Sequence, residues 1–277
     1  MTACVRWARA LAIAAVLGGG APAALESQTR PEPRLIFSIF GGVVNGGDLW
    51  DIPAQPFLLV FGPAQWDTIR LRRRLTTAPI AGLNATVYQS SHFGITAEAV
   101  YLGLRIDDDC AMVFENADVQ QRNAQVCNDV TRRVRTVSNV GFTLGAAYRL
   151  ASRSAVTPYV RAQGGVSVRS SSLIEVAGRY NEVLANGSVV VRERAVIDDE
   201  NRTSVTPMLA VAAGVMFAVA PGYHLRAEIR DHLLVLKRLT GPADDRAMVT
   251  TESFLSHAPA LVFGIDIVLE RQRGRRY

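Results

Sequence analysis

The sequence has no run of about eighteen consecutive apolar residues, the length that a helix needs to cross a bilayer. Apolar residues nevertheless make up 49% of the 277 residues, whereas charged residues make up only 20%. This composition is typical of strands that are apolar on one face only. Length alone would allow one or two domains.

Lysine is almost absent, because Lys237 is the only lysine among the 30 basic residues. We interpret the excess of arginine as a coding bias rather than as a functional signal. The basic residues are spread over many parts of the chain instead of forming one patch. The sequence therefore predicts no nucleic-acid partner.

Cysteine is scarce as well. Cys4 lies near the N-terminus, whereas Cys110 and Cys127 lie in one long polar stretch. A close pair in an exported chain favours a disulfide, which would stabilise this stretch by about 3 kcal/mol. A metal or redox pair is the alternative, but the spacing matches no zinc pattern and no histidine lies nearby.

The first 23 residues have the pattern of a secretory signal peptide. Arg6 and Arg9 give a positive start, an apolar stretch of about ten residues follows, and Ala21-Pro22-Ala23 matches a cleavage site. The alternative is an uncleaved anchor, but the apolar stretch is too short to span a bilayer as a helix. We therefore predict an exported protein.

Eight segments alternate apolar and small or polar residues with a period of two, and each is long enough for a tilted membrane-spanning strand of about nine to eleven residues. The alternation is cleanest in 137–150. The predicted strands are 35–44, 80–88, 95–104, 137–150, 156–169, 205–219, 224–236 and 259–269.

Short and long connections follow one another strictly along these strands. The short ones are 90–94, 151–155 and 220–223, and the long ones are 105–135, 170–203 and 237–257. A membrane barrel has tight periplasmic turns at one end and loops free to grow at the other. We therefore predict an all-β fold, an eight-stranded antiparallel up-and-down transmembrane β-barrel with short periplasmic turns and long extracellular loops.

A soluble sandwich would show the same alternation with its apolar face inward. Two features favour the barrel: the polar faces carry many small residues, which suit a narrow filled interior, and they carry charges of both signs. We predict a barrel-interior charge network that plugs the lumen; the alternative is a conductance path. The network comprises Glu98, Arg149, Arg161, Arg226, Glu228, Arg230 and Asp266.

Aromatic residues lie beside the short turns. Tyr88, Phe93, Tyr148 and Tyr223 are candidates for an aromatic girdle at the periplasmic surface, with ordinary hairpin packing as the alternative. The proline-rich stretch 45–79 does not fit the strand pattern, although Thr68 to Leu75 alternates enough to extend the second strand.

Basic residues in the predicted loops have two interpretations. They could meet phosphates of outer-leaflet lipid or a surface partner, or they could be solvated loop charges, since acidic residues are interspersed. These residues are Arg72, Arg73, Arg74, Arg132, Arg133, Arg135, Arg192 and Arg194.

Catalysis has one candidate set. Ser256, His257 and Glu252 include the residue types of an ester hydrolase. However, adjacent residues of a strand point to opposite sides, so Ser256 and His257 would not meet. The sequence therefore predicts no catalytic, cofactor-binding or metal residues, and a protein that is not an enzyme.

The last predicted strand is the most specific segment. Gly264-Ile265-Asp266-Ile267-Val268-Leu269 matches the G-x-x-Φ-x-Φ part of the C-terminal insertion signal of outer-membrane barrels. With the strand count and turn pattern, the chain resembles the small OmpA/OmpX-type eight-stranded barrels. That resemblance implies an outer-membrane location; its members include adhesins, surface-protection proteins, anchors and lipid-modifying enzymes, and the fold alone does not choose among them.

The expected organisation is a signal peptide (1–23), a periplasmic segment (24–34), the barrel (35–269) and a basic C-terminal tail (270–277). We expect a monomeric, non-enzymatic outer-membrane protein with a structural or surface-interaction role. It would contact outer-membrane lipid, and a surface ligand through its loops, and would need no cofactor. The alternatives are a lipid-modifying hydrolase, a narrow channel for small solutes, and a soluble exported barrel that carries a ligand.

Overall fold

The computed structural model describes residues 35–58, 66–116, 120–151, 154–199, 203–243 and 249–269. The predicted signal peptide, the segment up to residue 34 and the tail 270–277 lie outside these ranges. The elements are β1 (Leu35–Val44), β2 (Asp48–Leu58), β3 (Trp66–Thr76), β4 (Ala78–Tyr88), β5 (Phe93–Phe114), α1 (Arg122–Arg132), β6 (Arg135–Arg149), β7 (Val156–Arg169), β8 (Val176–Val183), β9 (Val189–Ile197), β10 (Ser204–Ala220), β11 (Tyr223–Leu239) and β12 (Thr251–Val268).

Eight of these strands close into a ring in which every neighbouring pair is antiparallel. The order around the ring is β1, β4, β5, β6, β7, β10, β11 and β12, and β1 pairs with both β4 and β12 to close it. The ring strands cover the eight predicted segments. The predicted eight-stranded up-and-down barrel is therefore confirmed.

The barrel has two distinct ends. The connections β4–β5, β6–β7 and β10–β11 are short and lie at one end, which we call the turn end. The other connections lie at the opposite end, which we call the loop end. The β1–β4, β5–β6 and β7–β10 connections there contain the additional strands and α1. β5, β11 and β12 extend far past the ring at the loop end, since β11 and β12 remain paired up to Leu239 and Thr251.

The outer surface of the ring is apolar. On β6 the outward side chains from Val140 to Leu150 include the exposed Phe142, Leu144 and Tyr148. About ten residues on a strand tilted by about 40° cover about 25 Å along the barrel axis, the height of the apolar band of membrane barrels. Because the inward face holds the charged side chains, the polarity is opposite to that of a soluble barrel.

Only part of the predicted aromatic girdle lies on this surface. Phe93, Tyr148 and Tyr223 are exposed at the turn end. Tyr88 is buried instead, because β4 directs its even-numbered side chains into the barrel. The prediction was therefore wrong for Tyr88.

The loop end is folded into an outer cap, which comprises β2, β3, the loop-end half of β5, α1, β8 and β9. β3 continues β4 past the ring and pairs with both β2 and β5, which confirms Thr68 to Leu75 as an extension of the second strand. Apolar residues of the cap, such as Trp50, Ile69 and Val126, are buried in one core that continues into the mouth of the barrel.

α1 is placed on β8 by side chains that accept backbone hydrogen bonds. Asp129 accepts from the N–H of Arg179, and Gln125 accepts from the N–H of Asn181. These contacts occupy the edge of β8, which would otherwise offer unpaired backbone groups. Gly178 permits the close approach, because a Cβ there would lie 2.5 Å from the carbonyl oxygen of Val126.

The disulfide joins α1 to the sheet of the cap. Cys110 on β5 and Cys127 on α1 are bonded, with their Cα atoms 5.2 Å apart. This is the bridge that the cysteine spacing predicts.

None of the helices in the described ranges is long and apolar enough to cross a membrane.

Candidate functional site

The most distinctive site is the charged interior of the barrel. All seven residues of the predicted charge network lie inside the ring with at most 5% of their surface exposed. They point inward because each occupies the inward-facing parity of its strand, even-numbered on β5, β11 and β12 and odd-numbered on β6 and β7. The structure divides them into two groups rather than one network.

The first group is a closed set of four charges at mid-height. Arg230 contacts Glu98 through Nη1 and Glu228 through Nε, both at 2.6 Å. Arg161 lies 2.8 Å from Glu228 and 3.1 Å from Glu98. The hydroxyl of Tyr159 donates a further hydrogen bond to Glu228. We call Glu98, Arg161, Glu228 and Arg230 the central quartet.

The quartet is electrically balanced, with two arginines and two glutamates, and joins three strands across the lumen. Glu98 lies on β5 and Arg230 on β11, which are not neighbours in the ring. Buried charges are stable only when they are paired and hydrogen-bonded, so removing one member leaves the others in an unfavourable state. The quartet therefore places charges that depend on one another across the lumen.

The second group lies toward the turn end and is less well paired. Arg226 is 3.6 Å from Asp266, too far for a hydrogen bond. Arg149 stacks 3.4 Å above the ring of Tyr88 and has no carboxylate partner among the described residues. We call Arg149, Arg226 and Asp266 the turn-end triad. The expectation that all seven charges would join one network was therefore too simple.

Apolar side chains fill the lumen between the quartet and the cap. Phe40 lies beside the quartet, with the guanidinium of Arg230 4.7 Å from the centre of its ring. Val100 and Leu102 are almost fully buried further toward the loop end, and Val262 is fully buried beside Glu228, its cross-strand partner. His232 is also fully buried toward the loop end, and neither ring nitrogen has a hydrogen-bond partner within the described chain. Charged and apolar groups together fill the narrow interior.

The basic run on β3 is paired within the cap. Arg70, Arg72 and Arg74 alternate outward and meet carboxylates of the neighbouring strands, Asp51, Asp48 and Asp107 respectively. The hydrogen bond from Arg70 lowers the pKa of the Asp51 carboxyl below its usual value. We call these six residues the outer ladder.

Arg73 has the opposite orientation and is fully buried. It binds Asp108 through two hydrogen bonds of 2.6 and 2.7 Å and donates to the carbonyl oxygen of Leu173. Of the two interpretations of the sequence, solvated charge fits the half-exposed Arg72 and Arg74, whereas Arg73 is neither solvated nor free to meet lipid phosphate. Cross-strand pairing with a carboxylate is common to all three.

The other basic loop residues have mixed surroundings. Arg133 pairs with Asp129 and Glu193, and Arg192 pairs with Glu182. Arg135 donates to the carbonyl oxygen of Glu175. Arg194 stacks on the ring of Phe57, and the side chain of Arg132 is exposed.

The candidate hydrolase residues do not converge. Ser256 points into the barrel and His257 points outward on β12, while Glu252 pairs with Arg238. His257 has a different partner: its Nδ1 lies 2.7 Å from a carboxylate oxygen of Asp231 on β11. The sequence signal for this pair was the interruption of the apolar face of β11 by Asp231.

Within the described ranges, no group of three or more His, Cys, Asp or Glu side chains is arranged to hold a metal ion. Cys110 and Cys127 are taken up by the disulfide.

Comparisons with solved structures return outer-membrane barrels. Similar structures include Neisserial surface protein A (13% identity, 84% of this chain and 97% of that one, TM-score 0.35) and the outer membrane protein OprG from Pseudomonas aeruginosa (12%, 86% and 98%, 0.41). The outer membrane protease OmpT from Escherichia coli is another (9%, 88% and 99%, 0.41). No protein-family model and no curated protein matches the sequence.

These similar structures have different roles, since one is named as a surface protein and another as a protease. Because one fold serves different roles, the shared architecture does not choose among them for this chain. The barrel assignment rests on the chain's own strand register. The chain is thus similar in architecture to small outer-membrane β-barrel proteins.

Proposed function

We propose that this protein is a non-enzymatic, integral outer-membrane barrel that presents the outer cap at the cell surface. The observation that carries the proposal is the contrast between a filled lumen and an elaborate cap. The quartet and the apolar residues above it occupy the interior, whereas the loop end is folded around an apolar core that continues into the mouth of the barrel. Such a molecule is built to display a surface, with the barrel as its anchor.

The apolar band supports the membrane location. Large apolar side chains are exposed around the ring, for example Leu144, Ile229 and Phe263. Burying these side chains in lipid is favourable, whereas leaving them in water is not. The predicted signal peptide and the short turns favour the outer membrane, with the turn end in the periplasm and the cap outside.

The tip of the β8–β9 hairpin supports a role in surface interaction. Three valines here are each at least half exposed: Val183, Val189 and Val191. They lie on β8 and β9, which are not among the ring strands that carry the apolar band. Exposed apolar patches that lipid does not cover mark interaction sites on soluble parts of proteins. We propose that this tip contacts a surface ligand.

The experiment is a binding assay with labelled barrels in lipid nanodiscs, mixed with intact cells that lack the protein. We expect cell-bound fluorescence above that of empty nanodiscs, and a loss of at least about fivefold in the variant Val189→Thr/Val191→Thr, since apolar contacts dominate such interfaces. Asp51→Asn/Arg70→Gln is the matched control on the cap and should bind as wild type. Wild-type binding no higher than that of empty nanodiscs would overturn the proposal.

The filled lumen has its own test in planar bilayers. A plugged barrel should give no discrete conductance steps, because side chains that fill a narrow interior should block a continuous water path. Regular steps from wild-type protein would favour the narrow channel instead. Membrane fractionation in the same preparation separates both from a soluble exported barrel.

A second candidate function is a lipid-modifying hydrolase, favoured by the pair of His257 and Asp231. The pair lies on the outward face, directly beyond the apolar Ile229 and Leu261 of the same strands, where lipid ester groups would lie. A carboxylate-oriented histidine can act as a general base. Mass spectra of lipid A from cells with wild type and with His257→Gln test this candidate; identical acyl chains in both would count against it.

A further inference from the structure

The turn-end half of the lumen carries more positive than negative charge. Among the described residues that face this part of the interior, the charged ones are Arg149, Arg226 and Asp266. The central quartet beside them is balanced and therefore supplies no spare carboxylate. His224, which also faces inward here, adds no negative charge. Within the part of the chain that the structure describes, one positive charge thus remains without a counter-charge.

The geometry of the two arginines agrees with this count. Arg149 is stacked on Tyr88, and its Nε donates no hydrogen bond within the described chain. Arg226 has two such nitrogens, Nε and Nη2, and reaches Asp266 only at 3.6 Å. Both side chains are at least nine-tenths buried. A buried guanidinium in this state is costly, and a bound anion would relieve that cost.

A small cavity lies beside these groups. The polar residues that line it include Arg161, Arg226, Asp266, Tyr88 and Tyr159. Arg161 also has an Nε without a hydrogen-bond partner in the described chain. The cavity has room for about one water-sized particle. A phosphate or carboxylate group is too large for it, whereas a monatomic anion is not.

We propose that this cavity binds one chloride ion, held by Arg226 and Arg161 and favoured by the charge of Arg149. Guanidinium N–H groups are strong donors to anions, and their strength is greater away from water. The carboxylate of Asp266 opposes the anion, so the site depends on Arg149 and Arg226, which the quartet does not neutralise, outweighing it. The ion brings the interior of the turn end to electrical balance.

The test measures thermal unfolding of the full-length barrel in a zwitterionic detergent, in sodium chloride and in sodium gluconate of equal ionic strength. Gluconate is too large for the cavity, so wild type should unfold about 3 °C higher in chloride. Arg226→Gln should abolish this difference. Asp266→Asn should enlarge it, because it removes the opposing charge, and this variant keeps the proposal testable if Arg226→Gln does not fold.

Arg70→Gln, on the outer ladder, is the matched control and should keep the wild-type difference. Crystals grown in bromide provide an independent readout, an anomalous peak beside Arg226 and Arg161. Equal unfolding temperatures of wild type in the two salts, or crystals without that peak, would overturn the proposal. A chloride effect that persists in Arg226→Gln would assign the ion to another place and would overturn it as well.

Discussion

The central quartet and the outer ladder are built from the same chemistry in two different surroundings. Each joins arginines to carboxylates across neighbouring or facing strands. The quartet has no more than 2% of any side chain exposed, whereas the side chains of the ladder are between 36% and 63% exposed. Their contributions to stability should therefore differ widely.

The difference follows from solvation. Water and salt screen the charges of the ladder, so each charge stays solvated when its partner is removed. Charges of the quartet lie in a lumen without that alternative, so each depends on its partners. A count of ion pairs would give the two sets equal weight. Burial indicates instead that the quartet contributes much more to stability than the ladder does.

The largest effect should come from breaking the quartet. Glu228→Ala removes a partner from both Arg161 and Arg230 and should lower the free energy of unfolding by about 3–5 kcal/mol, the usual cost of an uncompensated buried charge. Urea unfolding and heat-modified gel mobility measure it. Glu252→Ala, which breaks an exposed pair with Arg238, is the control. Similar stabilities of the two variants would remove the distinction between inside and outside.

A smaller effect should come from the disulfide, which separates the cap from the barrel. Cys110→Ser/Cys127→Ser opens a loop of seventeen residues and should cost about 3 kcal/mol in cap stability by the chain-entropy model. Limited proteolysis should then cut within 105–135, while the gel mobility of the barrel stays unchanged. Loss of the folded barrel itself would show that cap and barrel are not separable in this way.

The sequence predicted the ring strands and their faces well, because alternation along a strand is a local signal. Residues such as Phe142 and Leu144 stand apart from Thr143 and Gly145 in the sequence itself. The disulfide was predictable for a similar reason, since two cysteines lay close together in an exported chain. Local patterns were sufficient for both.

Partner choice across the lumen was not predictable, because it depends on the curvature and stagger of the closed ring. Glu98 and Arg230 are 132 residues apart, and nothing in the sequence links them. The same holds for His257 and Asp231, which meet only through the register of β11 and β12. The basic run of β3 had two open interpretations in the sequence, and its pairing with acidic residues became visible only with its neighbours β2 and β5.

The smallest effect should come from the outer ladder, and it has a defined pH dependence. Because the pKa of Asp51 is lowered in the folded state by Arg70, its contribution is present above the usual value of 3.8 and is lost as the pH falls through the lowered value. Arg70→Gln should therefore flatten the unfolding curve against pH only in this acidic range. At neutral pH its unfolding temperature should lie only slightly below wild type, as for an exposed ion pair, and this difference should vanish in acid once Asp51 is protonated. A clear loss of stability at neutral pH would mean that the ladder is as important as the quartet.

The most direct measurement is a pair of double-mutant cycles in urea, one for Glu228→Gln with Arg230→Gln and one for Asp51→Asn with Arg70→Gln. Each cycle isolates the coupling between two partners from the other effects of the substitutions. Because burial strengthens the interaction, the coupling between Glu228 and Arg230 should be several times that between Asp51 and Arg70. Equal couplings would contradict the account, since the lumen would then be as wet as the outer surface of the cap.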